Sequence, residues 1–86
     1  NVINELEEKL EKTPNDLQVR FDVAISLMGN GNYEKAIQHL LFIIEKDKMW
    51  NEEAARKNLL EIFNARGPSN ELAAEGRKKL SSILFS

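Results

Sequence analysis

Apolar residues recur along most of the chain with the spacing of an amphipathic helix, and they are densest between residues 15 and 29. Drawn as a helix, this segment carries two apolar stripes and one polar strip. The first stripe contains Leu17, Phe21, Ala24, Ile25 and Met28, the second contains Val19, Val23 and Leu27, and the polar strip contains Gln18, Asp22 and Ser26. A helix that is apolar on two flanks needs neighbours on both. We therefore expect this central helix to lie in the middle of a stack.

A glycine-rich turn separates the central helix from a second helical pattern. Gly29 and Gly31 can adopt positive φ angles, which end a helix and reverse the chain. The next pattern begins at Asn32 and continues to about Lys46. Two helices joined by a short turn form an αα-hairpin, which we assign to residues 15–47.

Short polar residues mark the predicted helix starts. The predicted N-caps are Asn15, Asn51 and Ser69. Gln18 is placed to complete a capping box with Asn15. Glu52 and Glu53 follow Asn51 in a predicted first turn, where the helix dipole favours negative charge.

Three further helical patterns flank the hairpin. The leading pattern, residues 1–13, has one apolar face and ends before Pro14. The last two patterns, joined at Gly67, form a degenerate second hairpin over residues 51–85. Their predicted inner faces are Ala55, Leu59, Leu60, Ile62 and Phe63, then Leu72, Gly76, Leu80, Ile83 and Leu84. The sequence predicts an all-α single domain over residues 1–86, a stack of about five antiparallel helices, which we expect to be a fragment of a longer protein.

Composition excludes several classes of function. The 86 residues include 12 basic and 14 acidic side chains with a net charge of −2, and the two signs are interspersed. Nucleic acid and anionic membranes need a concentrated basic face, so neither is an expected partner. No apolar run approaches the roughly 20 residues that cross a bilayer. The sequence contains no cysteine, which fits a reducing compartment such as the cytoplasm.

Catalytic and metal-binding patterns are missing from the sequence. His39 is the single histidine, and no cysteine accompanies it. The adjacent pairs Glu7–Glu8 and Glu52–Glu53 point about 100° apart on a helix, so they do not form an acid–base dyad. The glycines follow a helix and not a strand, so they do not form a phosphate loop. We expect no enzyme activity, no cofactor and no metal.

The hairpin resembles a tetratricopeptide (TPR) repeat. The resemblance rests on small residues where the two helices touch and on an aromatic residue that opens the second: Ala24, Gly31, Tyr33, Ala36 and Leu40. Pro14 precedes Lys48 by 34 residues (48 − 14 = 34), which matches the period of about 34 in this family. Four positions depart from the pattern: Arg20 for tryptophan, Leu27 for tyrosine, Ile43 for alanine and Lys48 for proline.

Read as a whole, the chain also resembles the C-terminal TPR-like domain of bacterial thioredoxin-domain co-chaperones, the chaperedoxins. Three stretches carry the resemblance: residues 14–24 (PNDLQVRFDVA), 47–63 (DKMWNEEAARKNLLEIF) and 80–85 (LSSILF). It implies a cytoplasmic, non-catalytic module that follows a thioredoxin-like domain, holds unfolded or damaged client polypeptides and contacts a chaperonin. The alternative is the capping hairpin of a TPR scaffold that recruits a defined peptide.

The TPR resemblance also implies partner-binding residues in a groove along the central helix. They are Gln18, Phe21, Asp22, Ile25 and Met28. An alternative for Phe21 and Met28 is a place in the core.

Three aromatic residues lie apart from this groove. Phe42 falls on the polar side of its helix, where we predict an exposed apolar spot suited to self-association. Phe85 lies off the apolar stripe of the last helix, so it either docks into a partner or folds back to seal the stack. We interpret Trp50, between two helices, as a structural plug and not as a partner anchor.

Overall fold

The computed structural model describes residues 2–67 and 70–85, and these residues form five α-helices joined by short turns. The helices are α1 (Val2–Lys12), α2 (Leu17–Gly29), α3 (Tyr33–Lys46), α4 (Trp50–Arg66) and α5 (Glu71–Leu84). Neither of the two described ranges contains a strand. The predicted all-α stack of about five helices is confirmed.

Helix α3 forms the centre of the core. It packs against α2, α4 and α5, whereas α1 packs against α2. Six residues of α3 are buried, against one in α1. The molecule measures 34 × 27 × 18 Å. Its shortest dimension fits two layers of helices at the usual separation of about 8–10 Å.

The two small residues predicted for the contact within the central hairpin are buried. Ala24 in α2 and Ala36 in α3 are both fully buried, and these two helices share the most extensive contact in the fold. Gly31 has a φ of 79° in the turn between them, a backbone conformation that glycine adopts at no steric cost. Helix α2 also packs against α1, so the expectation that it has neighbours on two flanks is confirmed.

The predicted N-caps of α2 and α4 are both wrong. The cap of α2 is Asp16 and not Asn15, because the Asp16 carboxylate accepts hydrogen bonds from the backbone N–H groups of Gln18 and Val19. The side chain of Gln18 does not complete a capping box. It donates to Asp22 one turn further along the helix, at 2.9 Å.

The start of α4 differs from the prediction as well. Asn51, Glu52 and Glu53 have φ angles of 49°, 55° and 63°, so the first turn is left-handed and Asn51 is not an N-cap. The cap position is Met49, which makes no side-chain cap bond. Glu52 and Glu53 lie in the first turn of α4, as predicted, but the backbone of that turn is left-handed.

The second hairpin, α4 and α5, is held by a close approach between the two helices. Gly76 of α5 lies against the buried ring of Phe63 in α4. Gly67 ends α4 with a φ of 87°, and Asn70 caps α5 by accepting from the backbone N–H of Ala73 at 3.1 Å. Ser69, the predicted cap, lies outside the described residues.

The prediction for the inner face of α4 is wrong at one residue, Leu60. Leu60 is 42% exposed, whereas its neighbour Leu59 is fully buried. Consecutive helical residues point about 100° apart, and the stripe that meets α3 and α5 passes through Leu59. Leu60 therefore faces solvent. The buried residues of α4 are Ala55, Leu59, Ile62 and Phe63.

Candidate protein-binding surfaces

Three of the predicted binding residues form one continuous line on α2. Gln18, Asp22 and Ile25 are four and then three positions apart, which places them on the same face of the helix. The Gln18 amide donates to the Asp22 carboxylate at 2.9 Å, and Ile25 is 39% exposed beside this pair. We call these three residues the α2 strip. It offers a carboxylate, an amide and an aliphatic side chain to a partner.

The other two predicted groove residues, Phe21 and Met28, lie at the margin of the core. Both are half-buried and pack against the buried cluster. The Phe21 ring lies 5.4 Å from the Trp50 ring, centroid to centroid, with the planes tilted by 58°. This contact joins α2 to the start of α4, which supports a structural role for Trp50.

A cluster around Arg20 is absent from the sequence prediction, although Arg20 stands out there as a departure from the TPR pattern. Its Nη1 donates to Nδ1 of His39 at 3.1 Å, and its Nη2 donates to the carbonyl of Pro14 at 2.8 Å. Its guanidinium carbon lies 3.6 Å from the centroid of the Phe42 ring. We call these four residues the Arg20 clamp. It ties the α1–α2 turn to α2 and α3.

The clamp corrects the prediction for Phe42. Phe42 lies outside the buried cluster, as expected, but it is half-buried and not an exposed apolar spot. The Arg20 guanidinium covers its ring, and the Lys46 ammonium lies 5.4 Å from the ring centroid. A planar cation stacked on an aromatic face explains why a phenylalanine is accommodated among polar neighbours.

The clamp also sets the protonation of His39. Burial, followed by the Arg20 guanidinium, lowers the pKa of His39 below its usual value, partly opposed by Glu7. Arginine can only donate, so the Nδ1 that faces it must be unprotonated. The neutral ring with its proton on Nε2 is the form that fits this arrangement.

The end of α5 carries the most exposed aromatic residue of the described chain. Phe85 is 87% exposed, although its backbone N–H donates to the Ser81 carbonyl and closes the helix. The predicted alternative in which Phe85 seals the stack is therefore wrong. Leu84, its neighbour, packs against the buried cluster instead.

Phe85 borders an open groove between α4 and α5, with a cavity volume of about 330 Å³. The groove is lined by Arg56, Leu60, Phe63, Arg77, Leu84 and Phe85, together with Leu80 and Ser81. The sequence gives a signal for this groove in the one-position offset of Leu60 from Leu59. The sequence analysis placed both leucines in the core and therefore did not predict the groove.

Metal-binding clusters and membrane-spanning helices are both absent from residues 2–67 and 70–85. These residues contain no cluster of three or more histidine, cysteine or acidic residues that could hold a metal ion. None of their helices is long and apolar enough to cross a membrane.

A comparison with protein families agrees with the helical stack. A family model described as tetratricopeptide repeat matches residues 1–85 of the chain. No curated protein matches the sequence.

Proposed function

Because the chain belongs to the tetratricopeptide repeat family, whose domains generally mediate protein–protein interaction, we propose that it is a non-catalytic module that holds client polypeptides on the α2 strip. The proposal rests on the exposure of Gln18 and Ile25, with Asp22 half-buried between them, and on the mixed chemistry of the strip. Gln18 and Asp22 can pair with the backbone of an extended chain, and Ile25 can contact its apolar side chains. Contacts of this kind depend little on the sequence of the client.

The resemblance to the chaperedoxins supports a more specific proposal. In it, the module belongs to a thioredoxin-like co-chaperone of the bacterial cytoplasm that holds unfolded or damaged proteins and passes them to a chaperonin. The block 47–63 and the ending 80–85 carry this resemblance. The expected companion is a thioredoxin-like domain in the same protein, with a Cys-x-x-Cys motif or a serine variant of it.

Binding of a permanently unfolded polypeptide tests the client-holding role. The probe is fluorescently labelled lactalbumin, reduced and carboxymethylated, titrated with the protein and followed by anisotropy. Ile25→Glu should weaken binding about tenfold, because it places a charge in the middle of the strip. Val2→Glu is the matched control, since Val2 is also an exposed helical residue but lies on α1.

The outcome separates the proposal from the scaffold alternative. Client holding is supported if the protein binds the unfolded probe, Ile25→Glu loses this binding and Val2→Glu keeps it. Failure of the unmodified protein to bind the probe contradicts it. Capture of one defined peptide without affinity for the unfolded probe would favour a TPR scaffold instead.

A further inference from the structure

The groove between α4 and α5 combines exposed apolar side chains with walls formed by two helices. Leu60 is 42% exposed and Phe85 is 87% exposed, while Leu84 and the buried Phe63 form the base between them. The Phe85 backbone N–H donates to the Ser81 carbonyl, so helical hydrogen bonding continues to the residue that carries the exposed ring. A fixed backbone lowers the entropy lost on binding.

Two cations line this groove, and no carboxylate does. Arg77 is held by a hydrogen bond from its Nη2 to the Phe63 carbonyl at 3.3 Å, and its guanidinium carbon lies 5.3 Å from the centroid of the Phe63 ring. Arg56 is held at 3.2 Å by Glu53, an exposed pair one helical turn apart. Because the Phe63 carbonyl is neutral, Arg77 keeps its full charge. The groove therefore presents a net positive rim in a chain whose overall charge is −2.

We propose that this groove docks an acidic amphipathic helix of a partner protein. Its apolar face would lie on Leu60, Leu84 and Phe85, and carboxylates on its flanks would pair with Arg77 and Arg56. The groove runs between two helices, and an apolar stripe with one or two anchor residues matches this shape. A volume of about 330 Å³ accepts a few side chains and excludes a whole helix, so the partner lies across the opening.

The charge of the rim decides between acidic and basic partners. A lysine-flanked helix would place a cation beside Arg77, whose partner in the groove is the neutral Phe63 carbonyl, whereas the Glu53 carboxylate beside Arg56 is already ion-paired. Arginine forms bidentate pairs with carboxylates, and both guanidinium groups are already held in place. Recognition of an acidic flank therefore needs little rearrangement.

This inference does not depend on the client-holding role. The groove lies on α4 and α5, whereas the α2 strip lies on α2. Ile25→Glu should leave helix docking intact, and changes in the groove should leave binding of the unfolded probe intact. Each proposal can fail without the other.

Two synthetic helical peptides provide the test. Both are 16 residues long and carry the same leucine stripe; one has glutamates on the flanks, and the other has lysines. Binding is measured by fluorescence anisotropy against the whole chain. We expect the glutamate peptide to bind at least tenfold more tightly than the lysine peptide.

Variants locate the contact. Leu60→Ser combined with Phe85→Ser should weaken the glutamate peptide at least tenfold, and Arg56→Gln should weaken it a few-fold. Val2→Ser removes another exposed apolar residue, from α1, and should leave the affinity unchanged. Thermal unfolding by circular dichroism confirms that each variant is folded.

Three results would overturn the inference. They are equal affinity for the two peptides, unchanged affinity in the Leu60 and Phe85 double variant, and self-association of the chain that is lost in that variant. The last result, measured by sedimentation velocity, would assign the groove to a second copy of the chain.

Discussion

At the level of single residues, the contact between Gly76 and Phe63 sets the separation of α4 and α5. A Cβ atom on residue 76 would lie 2.6 Å from Cε1 of Phe63. The Phe63 side chain is 1% exposed, so moving its ring would disturb the close packing of the core around it. Glycine is disfavoured inside a helix by about 1 kcal/mol relative to alanine. The close approach explains why it is nevertheless found here.

Gly76→Ala should therefore destabilise the protein despite the better helix propensity of alanine. Overpacking of this kind costs about 1–3 kcal/mol, measurable by urea unfolding. Gly29→Ala is the matched control, because a Cβ there meets nothing within 4 Å, and its stability should stay the same or rise slightly. Combining Gly76→Ala with Phe63→Leu should recover part of the loss. A Gly76→Ala variant as stable as the unmodified protein would show that the two helices lie further apart.

His39 should make stability depend on pH near neutrality. Because burial and Arg20 lower its pKa in the folded chain, the unfolded chain binds the proton more tightly. The stabilisation from the neutral ring is present above the unfolded pKa of about 6.5 and is lost as the pH falls below that value. Urea unfolding at pH 7.5 and 5.5 should show the decrease. In His39→Gln the difference between the two pH values should shrink, and an unchanged difference would assign it to other groups.

At the level of helices, α4 differs from the other helices in that its first turn is left-handed. Three consecutive residues without a glycine have positive φ angles there. This conformation costs roughly 1–2 kcal/mol per residue for side chains with a Cβ, less for asparagine. The turn follows Trp50, whose ring packs on Phe21. The contact between these two half-buried rings lies beside the turn and offsets part of the strain.

Glycine substitution should have opposite effects at two positions of α4. Glu52→Gly removes the Cβ from a residue with a φ of 55° and should stabilise the protein by about 0.5–1 kcal/mol. Glu61→Gly, in the regular part of the same helix, should destabilise it by about 1 kcal/mol. Both glutamates are exposed, which makes the pair a matched comparison. If both variants lose stability, residue 52 is right-handed in solution.

At the level of the whole molecule, periodicity was sufficient to predict the five helices and most of the core. Burial depends on which stripe of each helix is apolar, and that can be read from spacing, as Ala24 and Ala36 illustrate. Features that depend on the meeting of distant residues could not be read in this way. Arg20 reaches Phe42 across 22 positions (42 − 20 = 22), so neither residue alone indicates the stacking that half-buries the ring.

The candidate site was predictable to a similar extent. The residues of the α2 strip were implied by the TPR resemblance and not by periodicity, which placed Ile25 on an apolar stripe; in the structure Gln18 and Ile25 are exposed and Asp22 is half-buried. The groove at Leu60 was missed because two adjacent leucines both suit a core, and their 100° separation decides between them only when the neighbouring helix is placed. Asp16 was missed as a cap because Asn15 and Asp16 are equally suitable by residue type.

Because the helices are buried to different extents, we expect α1 to unfold locally while the rest of the molecule stays folded. Helix α1 has one buried residue and packs against α2, whereas α3 has six and packs against three helices. Local unfolding needs least free energy where few contacts are lost. In native-state hydrogen exchange followed by NMR, amides of α1 should exchange through local opening. Amides of α3 should exchange only through global unfolding.

Two variants test this division. Ile62→Val, in the part of the core formed by α3, α4 and α5, should lower the free energy of exchange in α3 by about 0.5–1.5 kcal/mol. It should leave exchange in α1 unchanged, because Ile62 lies in α4, which shares no extensive contact with α1. Leu10→Ala should lower the free energy in both helices, because its contacts are lost in local and in global opening alike. If Ile62→Val lowers the free energy of exchange in α1 as much as in α3, all the helices unfold as one unit.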